Sequence, residues 1–198
     1  MKIISTNVYV GPNVYANFPV IRHQIDIGEL ENWPSVKLGE NFINGLVSAL
    51  PTLQSHGCSY REDGGFLRRL KEDEGTWIGH IWEHVALELQ HLAGSDVTYG
   101  KTRSAGKHGC YDVVYQYKQR DVGLEAGQLG LRLLTHLMPR EVQETLVTKV
   151  SDDFDFSEEL HDFIRMAQRK EFGPSTGSLV SAAEARDIPW LRLNNYSL

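Results

Sequence analysis

Residues 75–94 read G-T-W-I-G-H-I-W-E-H-V-A-L-E-L-Q-H-L-A-G, the most informative stretch of the chain. At about 100° per residue, its apolar side chains fall on one continuous arc and its polar side chains fall on the opposite arc. The pattern predicts an amphipathic helix over residues 76–93. Gly94 is expected to end it, because glycine readily adopts the left-handed conformation that closes a helix.

The polar arc carries the string H-I-W-E-H at residues 80–84, which has the H-x-x-E-H order of the inverted zincins. His80 and His84 lie one turn apart, so their neutral rings can hold one metal ion, for which we expect zinc. Glu83 lies beside them and is the predicted catalytic base, which takes a proton from bound water. The alternative is a polar helix face that simply meets water.

Two histidines are too few for a catalytic zinc site, which takes three protein ligands and leaves one position for water. In inverted zincins the third ligand is a glutamate on a later helix, and the candidates here are Glu125, Glu141 and Glu144. Glu125 is preferred because it comes early in the next helical segment, although the helix dipole also favours an exposed acid there. Glu88 starts about 9 Å beyond the midpoint of the histidine pair. We expect it to accept a hydrogen bond from His84 behind the metal.

The composition describes an ordinary globular chain. Its 198 residues are 41% apolar, enough for one core, and its net charge is −6 with both signs interspersed. This balance argues against a nucleic-acid binder. No apolar run of about 18 residues or signal peptide is apparent, so we expect a cytoplasmic protein with no membrane contact. Cys58 and Cys110 form no C-x-x-C pair, and each is more typical of a reduced core residue than of a metal ligand.

The order of the predicted elements indicates the fold class. Strands are expected over residues 2–10 and 19–27 as an antiparallel pair, followed by helices over 41–53 and 64–71 and by the motif helix. Strands over 97–104 and 111–117 and a helix over 122–137 come next. This order predicts an α+β fold in which helices pack on one face of an antiparallel sheet.

The character of the chain changes after Pro139. Helical patterns follow over residues 141–150 and 156–169, Ser175 or Thr176 is placed to cap a short helix through Arg186, and residues 188–193 read as a strand. We therefore predict an N-terminal α+β domain over residues 1–150. A connecting segment over 151–198 would begin the next unit.

Several strings resemble, in the same order, the N-terminal region of cyanophycin synthetases. They are P-V-I-R and I-D-I-G-E-L-E (19–22, 25–31), G-C-S-Y-R-E-D-G-G-F-L-R-R-L (57–70), the motif helix, Y-G-K-T-R (99–103), Y-D-V-V-Y-Q-Y (111–117), and G-P-S-T with I-P-W (173–176, 188–190). The resemblance covers essentially the whole chain. It implies an N-terminal domain followed by an ATP-grasp domain and a Mur-ligase-like domain. Such enzymes build cyanophycin, a poly-aspartate backbone with arginine on each side-chain carboxylate.

The resemblance also implies what this region does. We expect the ligase domains, with their ATP and Mg²⁺, to lie outside the chain, because it lacks a G-x-x-x-x-G-K-[ST] loop and stops where an ATP-grasp unit would begin. The N-terminal domain is expected to tether cyanophycin and, where the metal motif is intact, to cut it into short primers. The implied partners are cyanophycin, the ligase domains of the same enzyme and further copies in a homo-oligomer.

Two stretches depart from the family pattern. Gln116 stands where an acid is expected, and H-G-C-Y replaces P-G-V-Y at residues 108–111. A neutral amide is a poor zinc ligand, so Gln116 would weaken the site if the acid binds metal. His108 is a further candidate ligand, although a histidine in a turn commonly faces solvent.

Charged side chains near the motif suggest how such a polymer is held. Arg68, Arg69, Lys101 and Arg103 are candidates for binding its carboxylates, and the acids at residues 72–74 for binding its guanidinium groups. Arg103 is also a candidate to stabilise the oxyanion of the transition state. A mixed, solvated surface is the alternative for each of them. A non-catalytic binding module and an oligomerisation platform are the rival functions.

Overall fold

The predicted antiparallel sheet is present in the computed structural model, which describes residues 1–147, 149–190 and 192. Its strands are β1 (Lys2–Tyr9), β2 (Val20–Asp26), β3 (Gly100–Ser104) and β4 (Cys110–Gln116), in the order β1-β2-β4-β3. All neighbours are antiparallel, with Ile21 opposite Tyr115 and Ile25 opposite Tyr111. The first two strands thus pair as predicted, and the later hairpin adds to the β2 edge.

Helices pack against this sheet, so the predicted α+β class is confirmed. They are α1 (Ser35–Leu38), α2 (Glu40–Ala49), α3 (Gly65–Lys71), α4 (Ile78–Leu92), α5 (Arg120–Leu137), α6 (Arg140–Thr145), α7 (Phe156–Lys170) and α8 (Pro174–Glu184). Short 3-10 segments cover Gly28–Asn32, Pro51–Ser55 and Cys58–Tyr60. The motif helix α4 contacts β3 and β4 on one side and α5 on the other. Within the described ranges, we find no helix of the length and apolar character that a membrane crossing requires.

Helix α4 forms where the periodicity predicts it. Trp77 precedes it in an extended conformation, and Gly94 follows it at φ +86°. The amide of Ser95 donates to the carbonyl of Gln90 over 2.9 Å, which closes the last turn. The predicted stop at Gly94 is therefore confirmed.

The polar arc of α4 does not simply meet water. Glu83 is 4% exposed and Glu88 is 2% exposed, and His84 and Gln90 are buried as well. Burying a carboxyl group is costly unless other groups bond to it, so these side chains require specific neighbours. Those neighbours come from β3 for Glu83, from residues 52–56 before α3 for His84 and Glu88, and from the end of β4 for Gln90.

Small residues bring α4 and α5 close together. A Cβ on Gly130 would lie 2.9 Å from Cγ1 of Val85, and the indole of Trp82 donates to the carbonyl of Gly127 over 2.7 Å. Close approach buries the apolar arc of α4 between the sheet and α5. The polar arc is thereby turned toward α3 and the edge strand β3.

The last third of the chain differs from prediction at two points. Helix α8 begins at Pro174 with Gly173 before it, so Ser175 and Thr176 lie inside the first turn and the predicted cap is wrong. Proline suits the first helical position because its φ is already helical. Residues 188–190 lie in no strand, and residues 191 and 193 of the predicted strand lie outside the described residues.

Helix α7 packs on α5 and contributes Phe163 and Ala167 to the main hydrophobic core. The segment after residue 150 thus begins with a helix that shares the core of the preceding residues. The predicted boundary between residues 150 and 151 stays a prediction.

Candidate metal centre

The turn before α3 places Cys58 opposite α4. Cys58 starts a 3-10 segment with φ +49°, in the left-handed region that few residues other than glycine adopt. Helix α3 approaches this turn so closely that a Cβ on Gly65 would overlap the carbonyl oxygen of Gly57. Strained backbone of this kind concentrates at functional sites.

Cys58, His80 and His84 form a group of three ligand atoms. One such atom from each residue lies within 4.8 Å of the other two, and Sγ of Cys58 is 3.4 Å from Nε2 of His80. Two ligands of one tetrahedral zinc, at about 2.3 Å for sulfur and about 2.05 Å for nitrogen, lie about 3.6 Å apart. The observed separation fits that requirement, so this donor set is suited to a zinc-like cation.

Hydrogen bonds orient both imidazole rings. Nδ1 of His80 is 2.9 Å from Oγ1 of Thr76, and Nδ1 of His84 is 3.0 Å from Nδ1 of His56. The ring of His84 also stacks on Phe66 at a centroid distance of 4.1 Å. Since Nδ1 is engaged in each ring, Nε2 is the nitrogen left to bind a metal, as is usual when a second group orients a metal-binding histidine.

Burial keeps both rings neutral at neutral pH. It lowers the pKa of His80 to about 4, and the positive charge of Arg69 acts in the same direction. Burial also lowers the pKa of His84 well below its usual value, with smaller contributions from His80 and His56. A metal ligand must offer a lone pair, and both histidines therefore do so without first losing a proton.

Glu83 points from α4 toward β3. Its Oε2 accepts a 2.7 Å hydrogen bond from the hydroxyl of Thr102, and a Cβ on Gly100 would lie 2.7 Å from its Cδ. Burial raises the pKa of Glu83 to about 7, although the Thr102 hydrogen bond opposes the rise. A carboxyl group that titrates near neutrality can both accept and return a proton under physiological conditions.

Glu88 acts on His84 through another residue, not directly as predicted. Nε2 of His56 lies 2.8 Å from Oε2 of Glu88, so His56 stands between Glu88 and His84. The hydroxyl of Thr52 donates to Oε1. Burial alone would raise the pKa of Glu88, but the hydrogen bonds from His56 and Thr52, together with the nearby ring of His91, outweigh it and lower that pKa to about 2.

These groups open onto one cavity of about 620 Å³. Helix α4 forms its floor, the turn at Cys58 one wall, and residues 97–102 with the start of β3 the other wall. Arg61 and Lys101 bring positive charge to its lining. A bound chain could therefore reach Glu83 and the histidine pair from solvent.

The predicted basic residues divide between the cavity and the surface around it. Lys101 lines the cavity, and Arg69 is close enough to His80 to affect its pKa. Arg68 pairs with Glu62 and Glu72 and lies over the ring of Tyr60. Arg103 is exposed on β3 and outside the cavity lining, opposite Asp112.

The predicted downstream glutamates lie away from the histidine pair. Glu125 pairs with Arg132 over 3.0 Å on α5, and Arg132 also binds Glu159 of α7. Glu141 and Glu144 are exposed on α6. None of the three glutamates lines the cavity, and the ligand atom brought to the pair comes from Cys58.

The two departures from the family pattern also lie outside the cavity lining. Gln116 accepts hydrogen bonds from the amides of Thr98 and Tyr99, so its side chain holds the segment that leads into β3. His108 is exposed in the β3–β4 turn. Neither substitution removes a ligand from the Cys58, His80 and His84 group.

Two residues at this centre escaped sequence reasoning. His56 belongs to no sequence motif, and the sequence favours a core thiol over a metal ligand for Cys58. Both belong to a turn whose left-handed backbone has no periodic signal. The only hint is that Cys58 lies in one of the strings that carry the family resemblance.

The fold and the site define an α+β domain with a candidate metal centre on its central helix. The chain belongs to the family of cyanophycin synthase-like N-terminal domains, whose family model matches residues 22–139. It is 37% identical over 196 residues to the cyanophycin synthetase of Geminocystis herdmanii and 38% identical to that of Synechocystis sp.. Each match covers 98% of this chain and 21% of the relative, so the chain spans about a fifth of these enzymes.

Proposed function

We propose that this chain is the N-terminal domain of a cyanophycin synthetase, that it binds cyanophycin, and that it hydrolyses the polymer into short primers. Its cofactor would be a divalent cation, preferably zinc, held by Cys58, His80 and His84. The observation that carries the proposal is the buried carboxyl of Glu83 beside two neutral, oriented imidazoles at one open cavity. ATP and Mg²⁺ would serve the ligase domains in the rest of the enzyme.

Three ligands from the chain leave one position for water, which is the arrangement of catalytic zinc sites. A cation bound there would lower the pKa of its water to about 7 and polarise the carbonyl of the substrate. With a cation on Nε2, each ring would carry its hydrogen on Nδ1, where Thr76 and His56 lie within hydrogen-bond distance. The chain thus supplies a preformed donor set.

Glu83 would move the proton during hydrolysis. Its carboxylate accepts a proton from the attacking water, whose oxygen forms a bond to the amide carbon. The C–N bond then breaks, and Glu83 returns the proton to the departing nitrogen. Thr102 holds the carboxylate in place throughout, and a pKa of about 7 makes both transfers feasible.

The positive charges at and near the cavity support binding of a polymer that carries carboxylates. Arg61 and Lys101 line the cavity and Arg69 lies near His80, so these cations are the preferred contacts for carboxylates. Arg68 is already paired with two acids, which makes it a weaker candidate. Arg103 lies on the neighbouring surface, and its contact with the polymer stays a prediction.

Cleavage by a variant without the base tests the proposal. The chain would be stripped of metal, reloaded with Zn²⁺ and incubated with cyanophycin, and new amino termini would be counted. Glu83→Gln should be about 100-fold slower or worse, since a positioned base contributes about 10²–10⁴. Glu158→Gln removes an exposed acid from α7 and should match the native rate.

Equal cleavage by native and Glu83→Gln chains would contradict the proposal, and so would a zinc-loaded native chain that never cleaves. A native chain that binds cyanophycin without cutting it would instead indicate the non-catalytic binding module. If no cleavage occurs, the positively charged residues that line the cavity would still account for binding of the polymer. A role in assembling homo-oligomers can coexist with either function.

A further inference from the structure

His56, Glu88 and His91 form a second group of ligand atoms beside the first. One atom from each lies within 4.8 Å of the other two. Oε2 of Glu88 is 2.8 Å from Nε2 of His56 and 3.8 Å from Nδ1 of His91. The group lines a cavity of about 360 Å³, which adjoins the first cavity and shares His56 and His91 with it.

The donor atoms of this group suit a divalent cation. Thr52 occupies Oε1 of Glu88, which leaves Oε2 to face both rings. Nitrogen and oxygen ligands of a tetrahedral zinc lie about 3.3 Å apart, between the two observed separations. The 2.8 Å contact is a hydrogen-bond length, so a cation would have to push these two groups about 0.5 Å apart.

We propose that His56, Glu88 and His91 form a second divalent-cation site, and that a cation there opposes cation binding at Cys58, His80 and His84. The contact between His56 and His84 couples the two sites. The effect of the second cation on the first site rests on the proposed function, because that function requires a cation at the first site. The existence of the second site does not depend on hydrolysis.

The coupling follows from counting hydrogens along the two rings. If Nε2 of His84 binds a cation, its Nδ1 carries the hydrogen and donates it to Nδ1 of His56. His56 then carries its own hydrogen on Nε2 and donates it to Glu88. Nε2 of His56 therefore has no lone pair for a second cation as long as His84 binds the first one, so a second cation can bind only at the expense of that ligand.

The reverse case is equally restricted. A cation on Nε2 of His56 leaves the hydrogen of that ring on Nδ1, which faces Nδ1 of His84 at 3.0 Å. His84 can accept this hydrogen only by moving its own to Nε2, and it then ceases to be a ligand. Filling the second site thus weakens the first, so an excess of cation should inhibit hydrolysis.

Cation titration of the metal-free chain tests this proposal without reference to hydrolysis. Calorimetry with Zn²⁺ should show two binding events in the native chain, the second weaker. It should show one event in His91→Gln and in Glu88→Gln, because each loses a ligand of the second site. His161→Gln removes an exposed histidine from α7 by the same substitution and should keep both events.

One binding event in the native chain, or two in both His91→Gln and Glu88→Gln, would overturn the second site. The coupling is tested by following cleavage as Zn²⁺ is raised. The native rate should fall at least 10-fold as the second site fills, and this fall should be absent in His91→Gln. Two binding events with no cleavage at any Zn²⁺ concentration would refute the proposed function but not the second site. A cleavage rate that stays constant while the second site fills would refute only the coupling between the sites.

Discussion

At the level of single residues, the chemistry depends on the space and the hydrogen bonds around Glu83. Its carboxyl is 4% exposed, packed against Gly100 and bonded to Thr102. Both neighbours belong to β3, so the edge strand determines where the proposed base lies. Each can be altered without touching a proposed metal ligand.

Gly100→Ala should displace the carboxyl of Glu83, because the new Cβ would overlap Oε1. A shift of about 1 Å in a catalytic group can cost about 100-fold in rate, and we expect a loss of that order. The measurement is cyanophycin cleavage by the zinc-loaded chain. In the matched variant Gly11→Ala, the new Cβ meets no atom of the described residues within 4 Å, and its rate should stay native. A Gly100→Ala chain with native activity would show that Glu83 needs no fixed position.

The hydroxyl of Thr102 stabilises the carboxylate form of Glu83 by a hydrogen bond. Thr102→Val removes that bond and should therefore raise the pKa of Glu83 further. A base must be deprotonated to act, so the acid limb of the pH–rate profile should move to higher pH. Ser104→Ala removes another hydroxyl from β3 and serves as the control. An acid limb that does not move in Thr102→Val would contradict the assignment of Glu83 as the base.

The residues that sequence alone could identify are those within one helix. His80, Glu83 and His84 share a face because the helical period is local and regular. Cys58 and His56 reach the same centre from a left-handed turn more than 20 residues earlier, which no period describes. Likeness to inverted zincins suggests a downstream glutamate as third ligand, and Glu125 is preferred for its place early in the next helix, but the structure pairs that residue with Arg132.

At the level of elements, the site depends on how closely α3 approaches the turn that carries Cys58 and His56. Gly65→Ala should force these two segments apart, since its Cβ would overlap the carbonyl of Gly57. Overpacking costs about 1–3 kcal/mol, and the displaced turn should bind cation at least 10-fold more weakly. Urea unfolding and Zn²⁺ titration measure the two effects.

Gly177→Ala is the matched helical substitution, because its Cβ would meet Phe172 at an ordinary 3.8 Å. We expect native cation affinity and a slight gain in stability there, since alanine favours helix over glycine by about 1 kcal/mol. Equal cation affinity in Gly65→Ala and Gly177→Ala would show that the turn does not position the ligands.

Elements were predictable where a hydrophobic period coincided with packing. Strands β1 and β2 and helices α4 and α5 formed close to their expected positions, because one face of each packs against the same core, a face that is only partly buried in β1. Ends were less predictable. Pro51 ended α2 early and began a 3-10 segment, and Pro174 began α8 before the expected cap.

At the level of the whole molecule, buried neutral histidines should make the metal-free chain sensitive to acid. His23 is fully buried between Thr6 and Tyr115, and burial lowers its pKa to about 4, as it does for His80. As the pH falls below 6.5, these histidines therefore bind protons in the unfolded chain while they stay neutral in the folded chain. Stability should drop between pH 7 and pH 5 by about 2 kcal/mol for each such histidine.

Urea unfolding of the metal-free chain at both pH values measures this drop. His23→Gln should lose about 2 kcal/mol less than the native chain over the same interval, whatever its stability at pH 7. His161→Gln changes an exposed residue and should reproduce the native difference. Identical pH dependence in His23→Gln and native chains would contradict the buried, neutral state of His23.

The proposed chemistry requires Cys58, His80 and His84 to hold one divalent cation together. Adding one equivalent of Co²⁺ to the metal-free chain and recording its absorption spectrum tests it most directly, since a cobalt–thiolate bond gives a charge-transfer band. We predict this band in the native chain and in Glu125→Gln, and its loss in Cys58→Ala. A native chain without the band, or a band that persists in Cys58→Ala, would contradict the claim.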